Sequence, residues 1–256
     1  LDALLANNDR RDAEAILEGM RNNSDLSRQG SDAKIGDGGT LLRRKYVLPF
    51  VIALLVMCFT QATGVNSLLN YSVVILQKAG SAGANANLAD AAIKLANFVM
   101  TAVALALIDR KGRKVLLTIG TAGVVIGLLF AGGLFLAIER GMISACPMTG
   151  CLVAVGLIVY IAAYGLGPGV CVWLAVSELM PIRIRSGGMT VTGICSMCIG
   201  WAIAQAFLPW SKAFGESSVF FTLGGIAVLY FLTARYLLPE TKGRSLEEIE
   251  RYFSKE

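Results

Sequence analysis

The sequence contains no histidine, and only 16% of its 256 residues are charged. Histidine is the commonest general base and metal-binding side chain. The motifs HExxH and G-x-S-x-G and the Walker lysine loop are missing too. These absences argue against an enzyme, a metal site and a bound cofactor. They also argue against a soluble domain, which carries about 25% charged residues.

The sequence also has too few suitably placed cysteines for a disulfide framework. There are six, and Cys146 and Cys151 flank a short loop, where they could pair if that loop is extracellular. The remaining four lie in apolar runs, where cysteine behaves as a small hydrophobic residue: Cys58, Cys171, Cys195 and Cys198.

Long apolar runs dominate what is present. Hydrophobic residues make up 55% of the sequence, and the mean hydropathy is +0.63. A membrane helix needs about 20 apolar residues. Runs near that length predict an all-α membrane protein with six transmembrane helices, and glycines interrupt the first and fourth. The runs cover residues 47–76, 88–108, 115–138, 151–176, 187–208 and 218–238.

Basic residues are concentrated in alternate connections between these runs. The positive-inside rule assigns that side to the cytoplasm. An even number of spans then puts both ends of the chain there, and we expect a multi-pass protein of the plasma membrane. The basic clusters are Arg43–Lys45, Arg110–Lys114, Arg183–Arg185 and Lys242–Arg244.

The chain divides into three parts by composition. Residues 1–46 predict a cytoplasmic segment, with a short amphipathic helix over 1–22 followed by a linker rich in glycine and serine. Residues 47–238 form the membrane bundle, and residues 239–256 form a cytoplasmic tail. The sequence opens inside an apparent helix and without methionine, so we expect a fragment of a longer protein.

An unusually polar stretch, residues 59–72, lies within the first apolar run. Lipid offers no hydrogen-bond partner to the amides of Gln61, Asn66 and Asn70, so they should face the bundle interior or a watery cavity. A straight helix sets Gln61 and Asn66 about 140° apart. A bend at Gly64 would aim both at one ligand. Hydrogen bonding between helices is the alternative interpretation.

Two further features of the spans could contact a solute. Asn97 lies near the middle of the second run, where we expect no other strongly polar group close by, and fits either helix–helix bonding or a ligand contact. Residues 164–173 hold three glycines and a proline, which weaken a helix and often mark transporter sites. Trp173, beyond that break, could stack on a sugar ring or anchor the helix at the interface.

Charged residues at adjacent helix ends could form a gate on the cytoplasmic side. Asp109 and Arg113 join the second span to the third, while Glu178 and Arg185 join the fourth to the fifth. Carboxylates and guanidinium groups pair well at such ends. A pair made in only one conformation would bias a two-state equilibrium. Charges that only set topology are the alternative.

These motifs, in this order and spacing, resemble the sugar porter branch of the major facilitator superfamily over nearly the whole chain. The matching segments are Gln61–Asn66, Asp109–Lys114, Gly167–Gly169 with Trp173 and Glu178, Glu178 with Arg185, and Pro239–Arg244.

The resemblance implies the C-terminal six-helix half-bundle of a major facilitator fold, with short cytoplasmic helices. It implies alternating-access transport of a hexose or polyol, with the N-terminal six-helix half and membrane lipid as partners and no nucleic acid. Carried over by motif, the sugar contacts are Gln61, Asn66, Asn97 and Trp173. The gate carried over in the same way comprises Asp109, Arg113, Glu178 and Arg185.

Departures from the family pattern leave the solute open. Thr60 stands where a second glutamine is frequent, and Asn70 opens what is usually an aromatic pair. A transporter-like sugar sensor, or a transporter of another organic solute with the same fold, remains an alternative. The other departures are Val170, Val172, Ser196 and Met197.

Overall fold

The computed structural model describes residues 44–180 and 182–238, apart from the side chains at 44–46, 109, 182 and 183. The predicted helix at 1–22, the linker after it and the Pro239–Arg244 motif lie outside the described residues. The helices are α1 Arg44–Ala62, α2 Val65–Lys78, α3 Gly83–Lys111, α4 Arg113–Glu139, α5 Pro147–Leu166, α6 Pro168–Leu179, α7 Ile182–Phe214 and α8 Glu216–Leu232, which a π-helical turn, Thr233–Leu237, extends.

Six spans in the described part are long and apolar enough to cross a membrane, which confirms the predicted all-α membrane fold. The first span, Val47–Lys78, consists of α1 and α2, and the fourth, Pro147–Leu179, consists of α5 and α6. These are the two spans in which the sequence predicts glycine interruptions. The helices run a few residues beyond the apolar stretches, because their backbone bonds are satisfied internally in any solvent.

Small residues let α4 pack closely against the fourth span. A Cβ atom at Gly127 would lie 2.7 Å from the Cα atom of Tyr160 in α5, and one at Gly120 would lie 2.7 Å from the Cα atom of Gly167. No side chain fits at such distances, so glycine is needed at both positions. These two glycines therefore serve close packing between the third and fourth spans.

The second and fifth spans are much less buried than the others. Only 17% of the α3 span and 22% of the α7 span is buried, against 39–50% for the remaining four spans. Large apolar side chains stand exposed along them, among them Leu95 and Phe98 in α3 and Trp201 in α7. Lipid or another part of the protein must cover these faces, since water would not.

Charged residues tie the helix ends together on the side opposite the basic clusters. The Lys78 ammonium, at the end of α2, donates to the Ser211 hydroxyl at 2.9 Å and pairs with the buried Glu216 carboxylate. The backbone N–H of Ser217 donates to Glu139 Oε1 at 3.1 Å. These contacts connect α2, α4, α7 and α8, and they pair a carboxylate that would be costly to bury alone.

The loop cysteines do not form a disulfide. Cys146 and Cys151 are both free thiols, so the pairing that the sequence leaves open is not made in this structure. Cys146 Sγ lies 3.2 Å from the Thr149 hydroxyl, just before α5 begins. The hydrogen bond between this thiol and the Thr149 hydroxyl lowers the pKa of Cys146.

Candidate functional site

A helix break at Gly64 brings the Gln61 and Asn66 side chains together. Gly64 has a φ of 78°, in the left-handed region, and separates α1 from α2. The Asn66 amide donates to Gln61 Oε1 at 3.0 Å. Glycine is favoured here for its backbone conformation. A Cβ atom would also lie 2.8 Å from Leu223 Cδ1. The bend proposed from the sequence is therefore present.

Helix α7 leaves this amide pair uncovered. A Cβ atom at Gly200 would lie 3.2 Å from Gln61 Oε1 and 3.5 Å from Asn66 Nδ2, so a larger residue would sit on the amides. Asn66 is exposed and Gln61 is half-buried. Each side-chain amide offers two N–H donors and a carbonyl acceptor. Among the described residues the pair uses one hydrogen bond, so most of its capacity is available to hydroxyl groups of a solute.

Buried hydroxyl groups form hydrogen bonds next to the break. The Tyr160 hydroxyl donates to the Thr63 carbonyl at 3.2 Å, which the interrupted helix would otherwise leave without a partner. Thr60 donates to the Val56 carbonyl at 2.7 Å and lies 2.8 Å from the Tyr230 hydroxyl. Thr60 is thus buried and engaged in packing, although the sequence marks it as a departure at the site. Its neighbouring departure, Asn70, is exposed.

Asn97 lies against the fourth span rather than against the amide pair. A Cβ atom at Gly165 in α5 would lie 3.0 Å from Asn97 Oδ1 and 3.2 Å from the Thr101 hydroxyl. Among the described residues no hydrogen bond joins Asn97 to Gln61 or Asn66. Asn97 is half-buried, so part of its amide remains accessible.

The expectation that Asn97 has no strongly polar neighbour is wrong. Lys94 lies three residues earlier in α3, and its ammonium is 2.7 Å from Asp90 Oδ2. Asp90 Oδ1 in turn lies 2.5 Å from the hydroxyl of Ser72 in α2. An ion pair therefore lies inside the second span and is bonded to the first. The count of charged residues in the connections between the spans does not include this ion pair.

Trp173 lies in α6, beyond the second break. Helix α5 ends at Leu166 and α6 begins at Pro168, with Gly167 between them. The Trp173 side chain is 45% exposed. An exposed indole in this position fits either of the roles expected from the sequence, contact with a sugar ring or anchoring at the interface.

Two of the predicted gate residues are in direct contact. Arg113 Nη2, at the start of α4, lies 3.0 Å from Glu178 Oε1, at the end of α6. Arg185 in α7 donates from Nε to the Met180 carbonyl at 3.4 Å, at the C-terminal end of α6. The side chain of Asp109 lies outside the described residues. The ends of α4, α6 and α7 are therefore joined by guanidinium groups.

A family model described as "Sugar (and other) transporter" matches residues 3–253. The chain belongs to the sugar transporter family. That family consists of transporters, not enzymes, which agrees with the sequence. Facilitated trehalose transporters Tret1 of Aedes aegypti and Drosophila virilis are 31% and 32% identical over 241 residues, 94% of this chain. The chain spans 29% and 26% of their lengths.

Solved structures of the major facilitator superfamily share the fold. The proton:xylose symporter XylE bound to 6-bromo-6-deoxy-D-glucose is 26% identical, with a TM-score of 0.71 over 88% of this chain and 46% of its own. The inward-open xylose transporter XylE from E. coli is 23% identical, with a TM-score of 0.69 over 90% and 46%. The described bundle is therefore a sugar porter half-bundle, as the resemblance implies.

Proposed function

We propose that this chain forms the C-terminal half of a transporter that carries a hexose, a related sugar or a polyol across a membrane by alternating access. The observation that carries the proposal is the exposed Gln61–Asn66 amide pair at the break in the first span. Amide groups donate and accept hydrogen bonds at once, as sugar hydroxyls do. Membership in the sugar transporter family supports this solute class.

The partner that we propose is an N-terminal six-helix half. The chain covers slightly less than half of the XylE chains, 46% of one and 49% of two others. The little-buried spans of α3 and α7 offer apolar faces on which a second half could pack. The basic clusters support an orientation with both ends in the cytoplasm, and the membrane that we propose is the plasma membrane.

The role proposed for the cytoplasmic charges is to stabilise one of the two access states. The Arg113 and Glu178 side chains are 18% and 28% exposed, so their ion pair is partly screened by water. Partly exposed pairs contribute on the order of 1 kcal/mol or less. Such a contribution still shifts an equilibrium severalfold if it is lost in the other state. Arg185 would add to the same closed arrangement, and the role of Asp109 follows the family motif.

The solute-binding role extends to Asn97 and Trp173 in this proposal. Both side chains are accessible, and the family resemblance carries the sugar-contact role to both. Their alternative roles, in helix bonding and interface anchoring, predict no change in sugar affinity on substitution.

The proposal is tested by uptake into liposomes containing the full-length protein. The labelled solutes are glucose, fructose, galactose, xylose, trehalose and myo-inositol, with protein-free liposomes as the control. Saturable uptake of at least one solute, competed by the unlabelled compound, is expected. Folded protein that binds a sugar without moving it would support the sensor alternative. Protein that neither binds nor moves any of them would refute the proposal.

A further inference from the structure

The second span, Gly83–Ile108, carries an ion pair between two residues of its own helix. Lys94 lies about 16 Å along α3 from Gly83 and about 21 Å from Ile108, the two ends of the span. Its partner Asp90 lies one helical turn nearer to Gly83, about 10 Å along α3 from that residue. Charges at such depth usually face a bundle interior or a water-filled pathway.

The pair belongs to a polar stripe on one face of α3. Asp90, Lys94, Asn97 and Thr101 are spaced by four, three and four residues, which places them one above another on a helix. At one end of the stripe, Asp90 accepts a hydrogen bond from Ser72 of α2, the helix that also carries Asn66. At the other end, Asn97 and Thr101 lie against Gly165 of α5. The stripe therefore flanks the helix that carries the amide pair.

Within this stripe, Asp90 has partners for both carboxylate oxygens, whereas Lys94 has a partner in the described part of the chain for only one of its donors. Asp90 is 14% exposed and bonded on both oxygens, to Lys94 and to the buried Ser72. Lys94 is 57% exposed. An ammonium has three N–H donors. Asp90 takes one, and no other described residue accepts from the remaining two. Asp90 thus neutralises the cation and leaves two donors with no acceptor among the described residues.

We propose that Lys94 is a solute-binding residue of the pathway, donating to a hydroxyl or carboxylate oxygen of a polyhydroxylated solute next to Asn97. Asp90 compensates its charge, and Ser72 positions Asp90. This inference rests on the proposed transport function. It assigns to the site a fixed cation that would discriminate among solutes by the acceptors that they present.

Affinity measurements on the full-length protein separate solute binding from charge compensation. Lys94→Met and the double variant Asp90→Asn/Lys94→Met should both weaken the apparent affinity for the transported sugar about tenfold or more, since a hydrogen bond from a charged donor is lost. If Lys94 only compensated Asp90, the double variant would regain the wild-type affinity, and that result would overturn the proposal. Lys212→Met, an exposed lysine near the end of α7, is the matched control and should keep the wild-type affinity.

A second variant tests the charge without removing the donor. Asp90→Asn removes the negative charge beside Lys94. The ratio of the inhibition constants of glucose and glucuronate, measured as competitors of the labelled sugar, should therefore shift severalfold in favour of glucuronate compared with the wild type. An unchanged ratio of the two competitors contradicts the proposal. Wild-type protein that transports no sugar refutes the transport function itself. Wild-type transport with unaltered affinity in Lys94→Met refutes the role of Lys94 alone.

Discussion

The contact between α4 and the break in the fourth span allows a quantitative test of the packing. A Cβ atom at Gly120 would lie 2.7 Å from the Cα atom of Gly167 and 2.8 Å from the Ala163 carbonyl oxygen. Both atoms belong to the backbone. Gly120→Ala therefore cannot be accommodated by a side-chain rotation, and α4 must move away from the break.

The expected effect is a net loss of stability. Overpacking costs about 1–3 kcal/mol, and the backbone contacts around Gly120 favour the upper end. The higher helix propensity of alanine offsets about 1 kcal/mol of this loss. A net loss of about 2 kcal/mol corresponds to a fall in Tm of about 4–8 °C, at about 2–4 °C per kcal/mol for a unit of this size.

Thermal unfolding of the full-length protein in detergent, followed by intrinsic fluorescence, measures this loss. Gly133→Ala is the matched control, because Gly133 lies in the same helix and nothing lies within 4 Å of a Cβ atom there. Its Tm should stay the same or rise slightly. Equal falls in Tm for the two variants would show that α4 does not approach the break in this way.

Two further predictions concern opposite ends of the bundle. Glu178→Gln removes the charge partner of Arg113. A cysteine introduced into the cavity should then be labelled more readily from the cytoplasmic side, while the sugar affinity stays the same. Unchanged labelling would contradict a gating role for this ion pair. Cys146 should react with an impermeant thiol reagent on intact cells. Because its pKa is lowered, the thiolate persists to lower pH than in an unperturbed cysteine, and Thr149→Ala should move the pH profile of labelling upward. Labelling only after permeabilisation would contradict the topology, and an unmoved profile would contradict the hydrogen bond.

The spans and their breaks could be predicted because they depend on local sequence. Hydropathy over about 20 residues identifies a membrane helix whatever its neighbours are. Gly64 and Gly167 interrupt such runs where the structure has its two breaks. The sequence predicts that a bend at Gly64 aims Gln61 and Asn66 at one ligand, whereas the hydrogen bond between the two amides is known only from the structure.

The supporting contacts could not be predicted because they join residues far apart in sequence. The hydroxyl of Tyr160 reaches Thr63 across 97 positions, and Gly200 approaches Gln61 from another span. Nothing in a single sequence selects these partners from many similar residues. The ion pair of Asp90 and Lys94 is different: two opposite charges four residues apart within an apolar run are a readable signal.

The amide pair at the first break is the group that we expect to bind the solute. The most direct test is the affinity of the full-length protein for its transported sugar, wild type against Gln61→Ala, with Gln205→Ala, an exposed glutamine of α7, as the control. We expect an affinity about tenfold weaker for Gln61→Ala and an unchanged affinity for Gln205→Ala. An unaltered affinity in Gln61→Ala, in protein that folds and transports, would contradict it.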